Sequence, residues 1–183
     1  MFCATMHVSG LDEAQLQSLA TSLGRLLRAG DVVTLVGPMG AGKTTFTRAL
    51  AGGLGILRPT RVCSPTFNIC LVHEGPVPLV HIDLFRLGES EGVEDRSPAF
   101  GALGLEDLLE RAAESTPATT QGGVVVIEWA DLWAATQTGL ERLEIQLERP
   151  AGDAEHRDLH AVAHGERARA LLEAWGADTR AEP

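Results

Sequence analysis

Gly37-Pro38-Met39-Gly40-Ala41-Gly42-Lys43-Thr44 reads G-x-x-x-x-G-K-[ST], a spacing suited to wrapping backbone N–H groups around a di- or triphosphate. Glycines at 37, 40 and 42 let the backbone come close. Lys43 supplies a compact point charge that reaches between the β- and γ-phosphates, and the Thr44 hydroxyl suits Mg²⁺. Lys43 is also the chain's only lysine. The other basic residues among its 15 are arginines, whose planar fork does not fit that narrow slot. The helix expected after the loop adds its positive end to the phosphate site.

Such a site also needs a carboxylate at the end of a neighbouring strand to hold the magnesium shell. Two apolar stretches end in one: Val80-His81-Ile82-Asp83 and Val124-Val125-Val126-Ile127-Glu128. The second is the cleaner strand with an acidic stop, so Glu128 is favoured and Asp83 is the other candidate; both can serve. Their alternative role is to terminate a strand at the surface. A Ras-type GTPase needs an Asn-Lys-x-Asp motif, which a chain with one lysine cannot hold, so ATP is the expected nucleotide. A small-molecule kinase with Arg86, Arg96 or Arg111 in a lid is the alternative activity. A nucleotide-sensing module without turnover is a third reading.

The elements that must position these groups follow from pattern. Leu16, Leu19, Leu23, Leu26 and Leu27 make one stripe of a helix over 11–29, with Ser9 or Asp12 at its start and Gly30 at its end. Residues 31–36 form a buried strand that runs into the phosphate loop, and a helix follows from Lys43 to about Leu54. Residues 66–73 and 78–84 read as a hairpin turned at Gly75-Pro76. A helix is expected over 102–113 and a buried strand over 123–128. Two late strands at 142–148 and 157–163 precede a helix at 165–175, and residues 88–100 and 115–122 read as loops. The sum is a single α/β domain, a P-loop NTPase-like sandwich with a mixed sheet that is parallel near the nucleotide and flanked by helices. Its ordered core is expected over about 11–175, with 176–183 frayed.

Composition narrows the class. A net charge of −10 makes direct nucleic-acid binding unfavourable, because phosphate recognition rests on clustered Lys and Arg. Three cysteines, Cys3, Cys63 and Cys70, fit no zinc spacing and read as reduced thiols. No apolar run spans a bilayer and no leader pattern opens the chain, so a cytoplasmic protein without membrane contact is expected. His156, His160 and His164 would stack on a helix, but the intervening Leu159, Ala161 and Ala163 favour a strand with the histidines on its wetter side rather than a metal site. Trp133 and Trp175 read as packing residues, and Trp129 reads as either packing or near-nucleotide. His81 is an orienting group or a structural histidine. Ser64 and Thr66 mark a mobile switch or an ordinary turn.

Taken in order, Gly-Ala-Gly-Lys-Thr-Thr (40–45), Ser64-Pro65-Thr66-Phe67, His81-Ile82-Asp83-Leu84-Phe85-Arg86-Leu87 and Ile127-Glu128-Trp129 resemble the TsaE family. The likeness spans about Leu11 to Trp175. It implies a Mg²⁺-dependent ATP hydrolase that acts with the TsaB–TsaD pair in threonylcarbamoylation of tRNA adenosine and meets tRNA only indirectly. Carried over by position, Gly40, Ala41, Gly42, Lys43, Thr44 and Thr45 bind phosphate. Thr44, Glu128 and Asp83 serve the metal and the hydrolytic water, and Lys43, Asp83 and Glu128 form the catalytic set. Trp129, Glu13 and Arg157 lie near the nucleotide. The chain departs from the family at Pro38-Met39, where Asp-Leu is common, and at Phe85, where a tyrosine is usual. Residues 89–98 and 114–122 are longer than usual.

Overall fold

The computed structural model describes residues 4–62, 70–85, 122–132 and 139–181. In chain order these residues form β1 (Thr5–Leu11), α1 (Glu13–Leu26), β2 (Val32–Val36), α2 (Lys43–Gly53), a 3₁₀ turn (Pro59–Arg61), β3 (Cys70–His73), β4 (Leu79–Asp83), β5 (Val124–Glu128), β6 (Arg142–Glu148), β7 (Arg157–His164) and α3 (Glu166–Ala181). The strands make one sheet in the order β1-β7-β6-β2-β5-β4-β3. Around the phosphate loop it is parallel: β2 runs with β5 and with β6, and β4 runs with β5. Its margins are antiparallel, through the β3–β4 hairpin on one side and the β6-β7-β1 ladder on the other. This is the mixed α/β sheet expected from the sequence.

Strand β1 was not among the expected elements. Met6 and Val8 alternate with Thr5 and His7, a short period-two signal that could have revealed it. It is an edge strand, largely exposed, and its register with β7 is broken between Val8 and Leu11. In that break the Gly10 N–H donates to Asp158 Oδ1 at 2.9 Å.

Helix α1 is shorter than the expected 11–29. Asp12 caps it, accepting from Gln15 N–H while the Gln15 side chain accepts from Asp12 N–H, a reciprocal capping box. The helix ends at Leu26 because Leu27 turns extended, with ψ 147°. The buried Asp31 carboxylate then takes the Arg28 N–H at 2.7 Å. Helix α3 runs the other way, past the expected end at 175 and through Gly176 to Ala181. The expected helix over 102–113 and the loops at 88–100 and 115–121 lie outside the described residues, as do Cys3, Cys63, Ser64, Thr66, Arg86, Arg96, Arg111 and Trp133.

The three helices among the described residues pack on the same face of the sheet. Leu16 and Leu23 of α1, Phe46 and Leu50 of α2, and Leu171, Leu172 and Trp175 of α3 share one core with Val33, Leu35, Val126, Ile145 and Leu159 from the strands. Trp175 is fully buried, lies edge-on to Phe46, and donates its indole N–H toward Leu19 O and Ser22 Oγ, both at 3.0 Å. It is the packing residue the sequence implies. A smaller cluster on the opposite face joins Val80, Ile82, Leu84, Val125, Ile127 and Ala130, with Trp129 and Leu132 against it. Among the described residues no helix is long and apolar enough to cross a membrane.

Candidate nucleotide and magnesium site

The site stands at the carboxyl ends of the parallel strands, where β2 feeds the loop at residues 37–42 and the loop feeds α2. Gly42 caps α2 with φ +102°, a left-handed conformation that a side chain resists. Leu16 of α1 also sits 3.1 Å from where a Cβ would project. At Gly37, φ is +145° and a Cβ would collide with the Leu147 carbonyl of β6. These two glycines are therefore required by the path of the loop. The first N–H groups of α2 have no carbonyl one turn upstream; Phe46 is the first to reach back, to Gly42 O at 2.8 Å. The free amides and the helix dipole face a cavity of about 480 Å³ lined by Met39, Gly40, Gly42, Lys43, Thr44, Thr45, Asp83, Phe85, Glu128, Trp129 and Arg157.

Register explains why the acidic groups converge. Asp83 pairs with Glu128 across β4 and β5, so both carboxylates end adjacent strands on one face. His81, two residues before Asp83, shares that face. Glu128 is 1% exposed, and both its oxygens are held. Thr44 Oγ1 donates to Oε2 at 2.8 Å. Thr47 Oγ1 lies 2.8 Å from Oε1, and His81 Nε2 lies 2.9 Å from the same oxygen. Burial pushes the Glu128 carboxyl up, but the hydrogen bond and charge of His81 and the two threonine hydroxyls outweigh it and hold the carboxyl below the usual glutamate range. An ionised carboxylate only accepts, so His81 carries its proton on Nε2. Asp83 lines the cavity, and its Oδ1 accepts from Phe85 N–H at 3.0 Å.

Lys43 is 5% exposed. Its ammonium donates to Gly37 O at 2.6 Å and Pro38 O at 2.9 Å. The Trp129 ring lies over it, with Nζ 3.5 Å from the ring centroid, an attraction of about 0.5–2 kcal/mol. Burial pushes the Lys43 ammonium down, opposed by the negative charges of Glu128, Asp131 and Asp83. Trp129 reaches this position because its backbone is left-handed, with φ +61°, the one non-glycine positive φ among the described residues. A bulky residue there is strained by about 1–3 kcal/mol. Its ring also packs on Phe85, 4.8 Å between centroids. Arg157 stands at the rim and donates to Ala41 O and Gly40 O, both at 3.2 Å.

The sequence candidates thus divide. Gly40, Gly42, Lys43, Thr44, Thr45, Asp83, Glu128, Trp129 and Arg157 line one cavity. Ala41 is buried behind it and offers its carbonyl to Arg157. Glu13 is not in the lining; it opens α1 and accepts from Gln17 Nε2 at 2.9 Å. Thr47 and Asp131 were not anticipated. Thr47 sits one turn after Lys43 on the buried side of α2, where helical spacing was the available signal. Asp131 lies three residues after Glu128, beyond the strand, where only the fold brings its charge toward Lys43. Of the three spaced histidines, His160 and His164 lie in β7 and His156 pairs with Asp153 at 2.7 Å.

A hydroxyl and two carboxylates form an all-oxygen donor set, which suits Mg²⁺ and not a soft metal. The chemistry available to the cavity is phosphate binding on amides and ammonium beside an acidic metal shell.

Comparison with known proteins shows the family. Residues 11–159 match the model of the family described as threonylcarbamoyl adenosine biosynthesis protein TsaE. The chain is 39% identical over 158 residues to the tRNA threonylcarbamoyladenosine biosynthesis protein TsaE of Bacillus subtilis, covering 86% of this chain and 85% of that one. It is 37% identical over 154 residues to the protein of the same name from Streptomyces coelicolor, covering 82% and 90%. The crystal structure of YdiB from Bacillus subtilis superposes with a TM-score of 0.69 at 28% identity, over 98% of this chain and 99% of that one.

Proposed function

The chain belongs to the TsaE family of threonylcarbamoyl adenosine biosynthesis proteins, and from that premise we propose that it is a Mg²⁺-dependent ATPase subunit supporting TsaB–TsaD in threonylcarbamoylation of tRNA adenosine 37. The observation that carries this reading is the Thr44–Glu128 hydrogen bond at 2.8 Å. It joins the first turn after the phosphate loop to the strand-end carboxylate, which is how a metal shell is built in P-loop nucleotidases.

In this reading the amides of residues 42–45 and the Lys43 ammonium hold the β- and γ-phosphates and stabilise charge developing on the transferred group. Lys43 exchanges two neutral carbonyl acceptors, on Gly37 and Pro38, for anionic phosphate oxygens. Thr44 and Glu128, with Asp83 beside them, hold magnesium. When bound, the metal neutralises charge on the phosphate oxygens. Asp83 and Glu128 orient the attacking water, and the Trp129 ring covers the ammonium against solvent. Arg157 is the one arginine in the described lining, and four of its five N–H donors are turned to backbone carbonyls. The isolated chain is therefore expected to turn over slowly, with partner docking completing the site.

The test is phosphate release from ATP by the purified chain, alone and with TsaB–TsaD. Stimulation by the partners that Lys43→Ala abolishes supports the reading. Equal rates with and without partners refute the dependence on docking. Transfer of phosphate to a small acceptor instead of water would make the chain a kinase.

A further inference from the structure

Thr47 has a role that neither the phosphate loop nor the strand ends supply. Its hydroxyl is fully buried on the inner side of α2. The oxygen lies 3.0 Å from Lys43 O and 2.8 Å from Glu128 Oε1. A threonine inside a helix commonly donates back to the carbonyl four residues earlier, and Lys43 O is that carbonyl. A hydroxyl has one proton, however, and a carboxylate draws it more strongly than an amide carbonyl does.

The second contact on the same oxygen is His81 Nε2, at 2.9 Å. Two donors thus converge on Oε1 from α2 and from β4, while Oε2 faces Thr44. A carboxylate held at one oxygen by two donors cannot rotate about its terminal bond without breaking both. The other oxygen, Oε2, accepts from the hydroxyl of Thr44, which lines the cavity with Glu128.

We propose that Thr47 is a positioning residue for magnesium: with His81 it fixes Oε1 of Glu128 and so presents Oε2 and the Thr44 hydroxyl together toward the metal. This rests on the Mg·ATP reading above. Partners that orient a metal-binding carboxylate commonly contribute about ten- to a hundredfold in metal affinity.

The experiment is calorimetric binding of ADP to the full chain with and without Mg²⁺, for wild type, Thr47→Val, Thr47→Ser and Thr47→Ala. The readout is the ratio of the two affinities, so each variant is its own reference. Thr47→Val and Thr47→Ala are expected to lose about tenfold or more of the magnesium enhancement, and Thr47→Ser is expected to keep it. Should the valine variant not fold, alanine, which any helix accepts, gives the same answer. Enhancement retained by a folded variant without the hydroxyl overturns the proposal, as does a serine variant that loses as much as alanine. A wild-type chain with no magnesium enhancement would instead refute the metal-dependent function itself.

Discussion

Thr44 donates its hydroxyl to Glu128 Oε2 at 2.8 Å, which couples the first turn of α2 to the end of β5. The hydroxyl oxygen keeps lone pairs for a metal while its O–H points at the carboxylate. Glu128→Gln preserves shape but removes the charge that would face magnesium. Turnover in the presence of partners should fall by about 10²–10⁴-fold, with ATP still bound. Phosphate release and nucleotide binding measured on the same preparation check this.

The Trp129 ring over Lys43 should report on the phosphate site. If phosphate draws the ammonium away from the ring, tryptophan emission changes on adding Mg·ATP, and that change should be missing in Trp129→Phe. An equal change in the variant would place the signal at Trp133 or Trp175.

Glu128 also predicts an acid limb of stability. Burial raises its pKa, but His81, Thr44 and Thr47 together bring it below the ordinary 4.5. A carboxyl depressed in the folded chain adds stability above its unfolded pKa and loses it as pH falls through the folded one. Wild type should therefore lose stability below about pH 4.5 more steeply than Glu128→Gln does. Urea unfolding over a pH series gives the two slopes.

Far from the cavity, Arg167 of α3 forks onto Asp31, with Nε to Oδ1 and Nη2 to Oδ2 both at 2.7 Å. Asp31 is buried and also holds the Arg28 N–H. Asp31→Ala should cost about 1–3 kcal/mol, discounted toward the lower end because the arginine is partly solvated. ATP affinity should stay unchanged. Urea unfolding and a binding titration check the two halves.

The phosphate loop, the strand before it and the helix after it were legible because glycine spacing and β-branched runs are local signals. Glu128 was legible as an acidic stop on an apolar strand. Its grip by Thr47 and His81 was not, because residues 47, 81 and 128 meet only through the α2, β4 and β5 packing. The placement of Trp129 depends on a left-handed backbone that its residue type disfavours, so no propensity rule points to it. The closing helix was expected to end at 175, yet it continues through Gly176 after Leu171, Leu172 and Trp175 have buried its inner face. There tertiary packing outweighs the cost of about 1 kcal/mol for a helical glycine.

The most direct test is a crystal structure with Mg²⁺ and a non-hydrolysable ATP analogue at saturation. The account predicts the β- and γ-phosphates on the amides of residues 42–45 with Lys43 Nζ on them, and the metal beside Thr44 and the Glu128 carboxylate. An empty loop, or a nucleotide bound with Glu128 and Asp83 both turned away from its metal, would contradict it.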